Sequence, residues 1–368
     1  MERFFSRPYF KEKSKLFILS LSFLLLSCSS KDKNATTTTD GVIDVHAHIN
    51  LESSSVDLSQ IESAMDDQLI KWTIIMPTPF GVPSTSETNG DDLQKYVSDN
   101  GYSQFAFMYG GQELNPLVHA VGRGEVFTEE LLYPNGTGGM DISDSVSQMN
   151  AIAGDPETYY TQFKTLATTA AESGLYVGFG ELGPRHFSKR SGHPDVLFPA
   201  NHEWMLWLSD LAAENNMVLD VHMEVENDTL SEFEELLSHN ESTKIIWEHA
   251  GWSNTGLIVA SQLASLLENH SNLYLAIKLR NPNSDEMTTS HPLDESGVIV
   301  DDWKELLETY STRIMIGADL KYWNNETNIS EMLSDSMGYY VALLDQIDES
   351  ARLNIRGQTA KAVFGLEF

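Results

Sequence analysis

Beyond residue 40 the chain alternates between short runs rich in β-branched and aromatic residues and longer stretches with helical apolar spacing. The strand-like runs are GVIDVHAHI (41–49), WTIIMPTPF (72–80), QFAFMYGGQ (104–112), LYVGFGELG (175–183), MVLDVHME (217–224), KIIWEHAG (244–251), LYLAIKLR (273–280) and RIMIGADL (313–320). Helices are predicted over 56–70, 91–98, 156–173, 202–215, 229–239, 256–269, 301–310 and 330–347. The amphipathic stripe is plainest in DTLSEFEELLSH and DDWKELLETYS.

Regular strand–helix alternation calls for parallel strands joined by crossover helices. Eight such units closing on themselves make a (β/α)8 TIM barrel, which takes about 250 residues before insertions. The surplus length falls in 114–155, 184–201 and 281–300. Each of these follows a strand, so each belongs to the carboxyl-end face where such barrels carry their sites. Segment 114–155 shows little periodicity and reads as an irregular insertion. A doubly wound open sheet is the other architecture to weigh; no glycine-rich phosphate loop follows the first strand, which counts against it.

Side chains alternate along a strand, so His46 and His48 share a face, and strict alternation gives Asp44 the same face. Ile43, Val45, Ala47 and Ile49 then face the helices. An isolated H-x-H pair is also what two hydrogen-bonded core histidines look like. The other strand ends change that reading: Glu181 ends the fourth, His222 the fifth, His249 the sixth and Asp319 the eighth. A barrel gathers these six side chains around one mouth. Imidazoles and carboxylates without thiolates suit Zn²⁺ best, with Mn²⁺, Fe²⁺ or Co²⁺ as alternatives. On the seventh strand Lys278 and Arg280 point to the mouth, where they either bind a carboxylate or phosphate on a substrate or neutralise the site's own acids. Arg185 and His186, just past strand four, are weaker substrate-binding candidates. His119, His193 and His291 fall in expected loops and read as surface.

Charge sets limits on partners. The 368 residues carry 23 Lys and Arg against 54 Asp and Glu, a formal charge of −31. That field disfavours nucleic acid, while a local cation cluster can still accept a small anion. The one cysteine, Cys28, excludes an intramolecular disulfide and a thiolate metal site within the chain. It closes a leader of basic residues and an apolar run, LFILSLSFLLL, that is short for a membrane span. The leader, 1–27, resembles a bacterial lipoprotein signal. That resemblance implies lipidation of Cys28, a flexible tether over 28–40, the barrel over 41–368, and attachment to a membrane of the cell envelope, on the periplasmic side of the outer membrane.

The arrangement of H-x-H on strand one, histidines ending strands five and six, and aspartate ending strand eight resembles the amidohydrolase superfamily. The closing segments, GVIVDDWKELLETYSTRIMIGADL and NIRGQTAKAVFGL, are similar to its amidohydrolase-related branch. One departure is Thr359-Ala360, where that branch usually has Asn-Ala; it bears on helix anchoring. The resemblance implies a metal-dependent hydrolase that activates water held by a metal for attack on a small amide, ester or lactone. His46, His48 and Asp319 then hold a first ion, with Asp319 also moving the proton. His222 is a third ligand or serves a second ion, and His249 is a ligand or an oxyanion polariser. Glu181 resembles the carboxylate that bridges two ions in two-metal relatives. The resemblance also admits a one-metal non-oxidative decarboxylase. A lipid-anchored binding protein without catalysis is the reading from a different class, and the complete ligand set speaks against it. Nuclease activity fits the strand-four motif but not the acidic charge.

Overall fold

The computed structural model describes residues 41–49, 57–83, 95, 98–187, 191–224, 229–250, 258–280, 291–322 and 328–366. The chain divides into two units, Met1–Thr38 and Thr39–Phe368, and every described residue belongs to the second. The leader, the tether and Cys28 lie outside the described residues, as does most of the helix expected over 91–98.

The barrel strands are β1 (Val42–His48), β2 (Ile70–Ile75), β3 (Phe105–Gly110), β4 (Gly178–His186), β5 (Val218–Met223), β6 (Lys244–Ala250), β7 (Leu273–Ile277) and β8 (Ile314–Ile316). Each pairs in parallel with the next. Closure comes from β8 against β1, with Asp44 opposite Ile316. This is a (β/α)8 barrel, as the alternation predicts. Two short pairings extend it at the mouth. Val196–Leu197 runs antiparallel to Arg185 and His186, and Leu320–Lys321 continues parallel to Ala47 and His48.

The helices start and stop for local reasons. Asp57 caps Leu58–Asp67 by accepting from the Ser59 amide. Pro156 opens Pro156–Ser173 under an Asp155 cap, and Gly174, at φ 68°, ends it in the left-handed conformation. The barrel interior is a small apolar cluster that includes Ile74, Met76, Ala106, Met108, Val218, Ile246, Ala276 and Met315. It is closed at the amino-terminal end by Ala360, Val363 and Leu366. A larger cluster lies between strands and helices, with Trp204 and Trp247 among its biggest buried side chains. At the departure noted above, the Thr359 hydroxyl donates to Ser311 O at 2.9 Å, so threonine still anchors this last helical segment.

Segment 114–155 is not an irregular insertion. It holds helices Asn115–Gly122, Glu129–Leu132 and Ser143–Gly154. The first is buried on nearly every side and so lacks an amphipathic stripe, and the third buries only Met149 and Ile152. Neither offers the periodicity that betrays a surface helix.

His119 and His291 are likewise not on the surface; both are buried, while His193 is exposed. Helix Asn115–Gly122 carries His119 inward, and its Nδ1 donates to Gly81 O at 2.6 Å. Burial pushes its pKa down to about 4. An unfolded chain takes up this proton near pH 6.5, the folded chain only near 4, so in that window the unfolded state binds more protons. The stability that comes from a neutral His119 is therefore complete above pH 6.5 and is lost as pH falls towards 4, about 3 kcal/mol in all. Urea midpoints should drop more steeply between pH 7 and 4.5 in the wild type than in His119→Gln. Parallel drops would contradict this assignment.

Candidate metal centre

The strand alternation predicted for β1 holds for its two histidines but not for Asp44. Ile43 and Val45 pack in the barrel interior with Ile74 and Met76, whereas Ala47 and Ile49 join the outer, helix-facing cluster. The pairing of β1 with β2 shifts register between Asp44 and Ala47. That irregularity reverses the faces, so His46 follows Val45 inward and Asp44 turns away. Bulges re-aim side chains in this manner beside functional sites. The Asp44 carboxylate instead accepts from the Ala318 amide at 2.8 Å and the His46 amide at 3.2 Å, tying β1 to the end of β8. Burial pushes its pKa up to about 7.

His249 and Asp319 reach the mouth on left-handed backbone, φ 62° and 49°. Non-glycine residues in that conformation need support from their surroundings. Asp319 has it: its amide donates to His46 O at 2.9 Å, and Arg280 donates to Ala318 O at 2.7 Å and to Asp319 O at 3.1 Å. The pairing of β6 with β7 shifts between Trp247 and Ala250, which brings both Glu248 and His249 inward.

All six candidate ligands converge. His46 Nε2 and His48 Nε2 lie 3.0 Å apart, and each is 3.4 Å from Glu181 Oε2. Asp319 Oδ1 is 3.3 Å from His48 Nε2 and 3.8 Å from His46 Nε2. The other carboxylate oxygen of Glu181 faces a second group. Its Oε1 is 2.6 Å from His222 Nδ1 and 3.1 Å from His249 Nε2, and those two nitrogens are 3.0 Å apart. Glu181 therefore stands between two donor sets, one oxygen to each.

The tautomers bear on what the first set can hold. His48 Nδ1 lies 2.9 Å from Met76 O, a carbonyl that can only accept, so the proton is on Nδ1 and the lone pair on Nε2. His46 Nδ1 lies 3.0 Å from Glu248 Oε2, off the N–H direction but close enough to favour a proton there. Burial opposes charge on His46, but Glu248 and Glu181 outweigh it and push its pKa well up, so the two Nε2 atoms 3.0 Å apart beside two carboxylate oxygens call for a cation between them, a proton on His46 or a metal ion in its place. Ligand atoms about 2.0–2.2 Å from one zinc ion lie roughly 3–3.6 Å from each other, so the separations of 3.0 to 3.4 Å fit and the 3.8 Å between His46 and Asp319 is slightly long.

Electrostatics agree in direction. Burial works against charge on Glu181, but the His46 and His222 rings beside it hold its carboxyl well below the usual range. Burial opposes charge on Asp319 too. Lys278, whose Nζ is 2.5 Å from Asp319 Oδ2, outweighs it and keeps that carboxyl ionised. Lys278 is itself buried and lowered by burial. Of the two roles open to Lys278 from the sequence, this contact is the neutralising one. Arg280 lies beside Asp319 with its donors on backbone carbonyls. Arg185 stands at the end of β4, its guanidinium 3.5 Å from Glu232.

Sequence reasoning passed over Glu248 and Asp220, both fully buried behind His46. Asp220 was within reach, because D-V-H occurs twice, at 44–46 and 220–222, and Asp220 shares the inward parity of His222. Burial and the neighbouring Glu248 push the Asp220 carboxyl well up. Glu248 carried no such signal, since alternation sends it outward if His249 points in. Gly317 makes room: a Cβ there would lie 2.9 Å from Ala276 Cβ and 3.1 Å from Glu248 Oε2.

No family model matches the sequence, and no curated protein matches it. Solved structures do resemble the chain. A dihydroorotase from Campylobacter jejuni is 15% identical, with 89% of this chain and 84% of that one covered and a TM-score of 0.46. An amidohydrolase from Burkholderia multivorans with bound zinc is 11% identical, covering 89% and 99%, TM-score 0.45. A 2,6-dihydroxybenzoate decarboxylase from Rhizobium is 12% identical, covering 89% and 99%, TM-score 0.47. At such identities and scores, the fold rests on this chain's own strands and the chemistry on its own side chains.

Proposed function

We propose that this barrel is a metal-dependent hydrolase acting on a small amide, ester or lactone, with an anionic group on the substrate. The observation that carries the reading is Glu181, placed with one oxygen on the His46/His48/Asp319 set and the other on the His222/His249 set. A carboxylate so placed serves two ions better than one, and paired ions are one established way to activate water for hydrolysis. His46, His48, Asp319 and Glu181 would hold the first ion, and Glu181, His249 and His222 the second. Zn²⁺ suits this nitrogen and oxygen donor set best, and when bound it supplies Lewis acidity and lowers the pKa of water to about 7.

The chain's own groups supply the proton handling. Asp319 Oδ2 is occupied by Lys278, which leaves Oδ1 facing the first donor set. As an ionised carboxylate it can accept a proton from the attacking water and return it to the leaving group. Lys278 offsets Asp319, and Arg280 and Lys321 stand near the same carboxylate as further positive charge within a chain of net charge −31. That local charge is the feature that favours a carboxylate- or phosphate-bearing substrate.

The test is a panel of cyclic amides, lactones and esters, each with and without a carboxylate, assayed on metal-characterised protein. Hydrolysis is expected, with kcat/KM at least tenfold higher for the anionic members. Release of carbon dioxide from aromatic acids, without hydrolysis of any panel member, would replace this reading with the one-ion decarboxylase.

A further inference from the structure

The pairing of β7 with β8 ends at Ile277 and Ile316. The tails that follow carry the groups nearest the proposed proton path, Lys278 and Arg280 after β7 and Asp319 after β8. The Gly317 amide donates to Ile277 O at 3.0 Å, and beyond that bond side chains join the two tails. Asp319, at φ 49°, has left the strand conformation, so a regular ladder does not continue there. One joining side chain is Tyr340, from helix Ile329–Leu344. The buried residues Leu333, Met337, Tyr340 and Leu344 recur at helical spacing, which turns the phenol inward. The Tyr340 hydroxyl accepts from the Leu279 amide at 3.1 Å and has Ile277 O at 3.0 Å and Gly317 O at 3.3 Å as acceptors for its single proton. It therefore touches the β7 tail on either side of Lys278 and the β8 tail two residues before Asp319. The other is Arg280, which spans from its own tail to Ala318 O and Asp319 O. Between these two clasps lies the Lys278–Asp319 pair.

We propose that Tyr340, acting with Arg280, is a positioning residue for Asp319: it locks the β7 tail to the β8 tail, so that Lys278 takes Oδ2 and Oδ1 stays turned to His48. The hydroxyl does the work of a ladder bond at the point where the two tails leave strand geometry. Without it the buried Leu279 amide loses its partner, an unfavourable state that the β7 tail relieves only by moving. Lys278 moves with that tail, and the Asp319 carboxylate follows its neutralising partner. Partners that orient metal-site groups from outside are worth roughly 10–100-fold in metal affinity or activity. The effect on turnover rests on the hydrolase reading given above; the effect on Zn²⁺ retention does not.

The experiment compares Tyr340→Phe and Arg280→Lys with wild-type zinc-loaded protein, at a temperature where circular dichroism shows each of them folded. Phenylalanine keeps the ring and loses only the hydroxyl. Lysine keeps the charge and loses the planar fork that reaches two carbonyls. Each variant should give up Zn²⁺ to a chromophoric chelator roughly 10–100-fold more readily, and kcat on a hydrolysed panel substrate should fall by a similar factor with KM within about threefold. The loss should be equal for substrates with and without a carboxylate. A lower Tm, with Zn²⁺ retention and kcat of the folded variants unchanged, would make both residues merely structural and overturn the proposal. Wild-type values in Arg280→Lys, or a loss confined to carboxylate-bearing substrates, would make Arg280 a charge for the substrate and overturn its part. If no panel member is hydrolysed even by the wild type, the hydrolase reading falls, while weaker Zn²⁺ retention in both variants upholds the positioning. The two substitutions lie on separate elements, so a variant that fails to fold leaves the other to decide.

Discussion

Replacing Asp319 with asparagine is expected to lower kcat by about 10²–10⁴-fold, the usual worth of a positioned general acid–base group, in a chain that still folds. The size follows from the surroundings of this carboxylate. Its Oδ2 is 2.5 Å from Lys278 Nζ and its Oδ1 lies 3.3 Å from His48 Nε2, so one oxygen is neutralised and the other faces the donor set. Asparagine keeps the shape, and its amide oxygen can still accept from Lys278, so the backbone held by Arg280 and His46 O need not move. What it loses is the capacity to take a proton and, with its one oxygen on Lys278, the carboxylate oxygen that would face the first ion. Stopped-flow or steady-state kinetics on a hydrolysed panel substrate, with metal content measured on the same sample, checks this. A decrease under tenfold with metal retained would remove Asp319 from the proton path.

Stripping the protein with a strong chelator is expected to lower its Tm by roughly 5–10 °C, and adding Zn²⁺ back should restore it. An ion at a thousandfold excess over its Kd stabilises by about 4 kcal/mol, and a chain of this size shifts a couple of degrees per kcal/mol. Repulsion adds to that loss, because Glu181, Glu248, Asp220 and Asp319 are buried close to one another around the histidines. Without a cation those acids must share protons or repel. Differential scanning calorimetry before and after chelation reads the shift. A Tm unchanged within a degree, in protein shown to have carried metal, would mean the ions sit elsewhere.

Much of this was legible in the sequence because barrels repeat. Each βα unit has its own strand run and stripe, and the alternation gives closure without any long-range information. The six converging side chains were legible for the same reason: each ends a strand, and a closed sheet puts strand ends in a ring. What stayed hidden depends on departures from regularity. The reversed face of Asp44 comes from a register shift that no period-two pattern contains. Glu248 and His249 both turn inward although neighbours on a strand should diverge. The helices of 115–154 were missed because one is buried all round and another buries almost nothing. The burial of His119 does not show in its local sequence because it depends on Gly81 and Phe198, from distant parts of the chain, as well as on nearby Phe127.

Whether Glu181 stands between two ions can be read directly. Zinc-edge anomalous diffraction from crystals of protein purified with Zn²⁺ should show one peak among His46, His48 and Asp319 and another beside His222 and His249, with the Glu181 carboxylate in contact with both. Zinc absent from the strand ends, or bound only at sites remote from His46 and His48, would contradict the metal centre and the hydrolytic chemistry built on it.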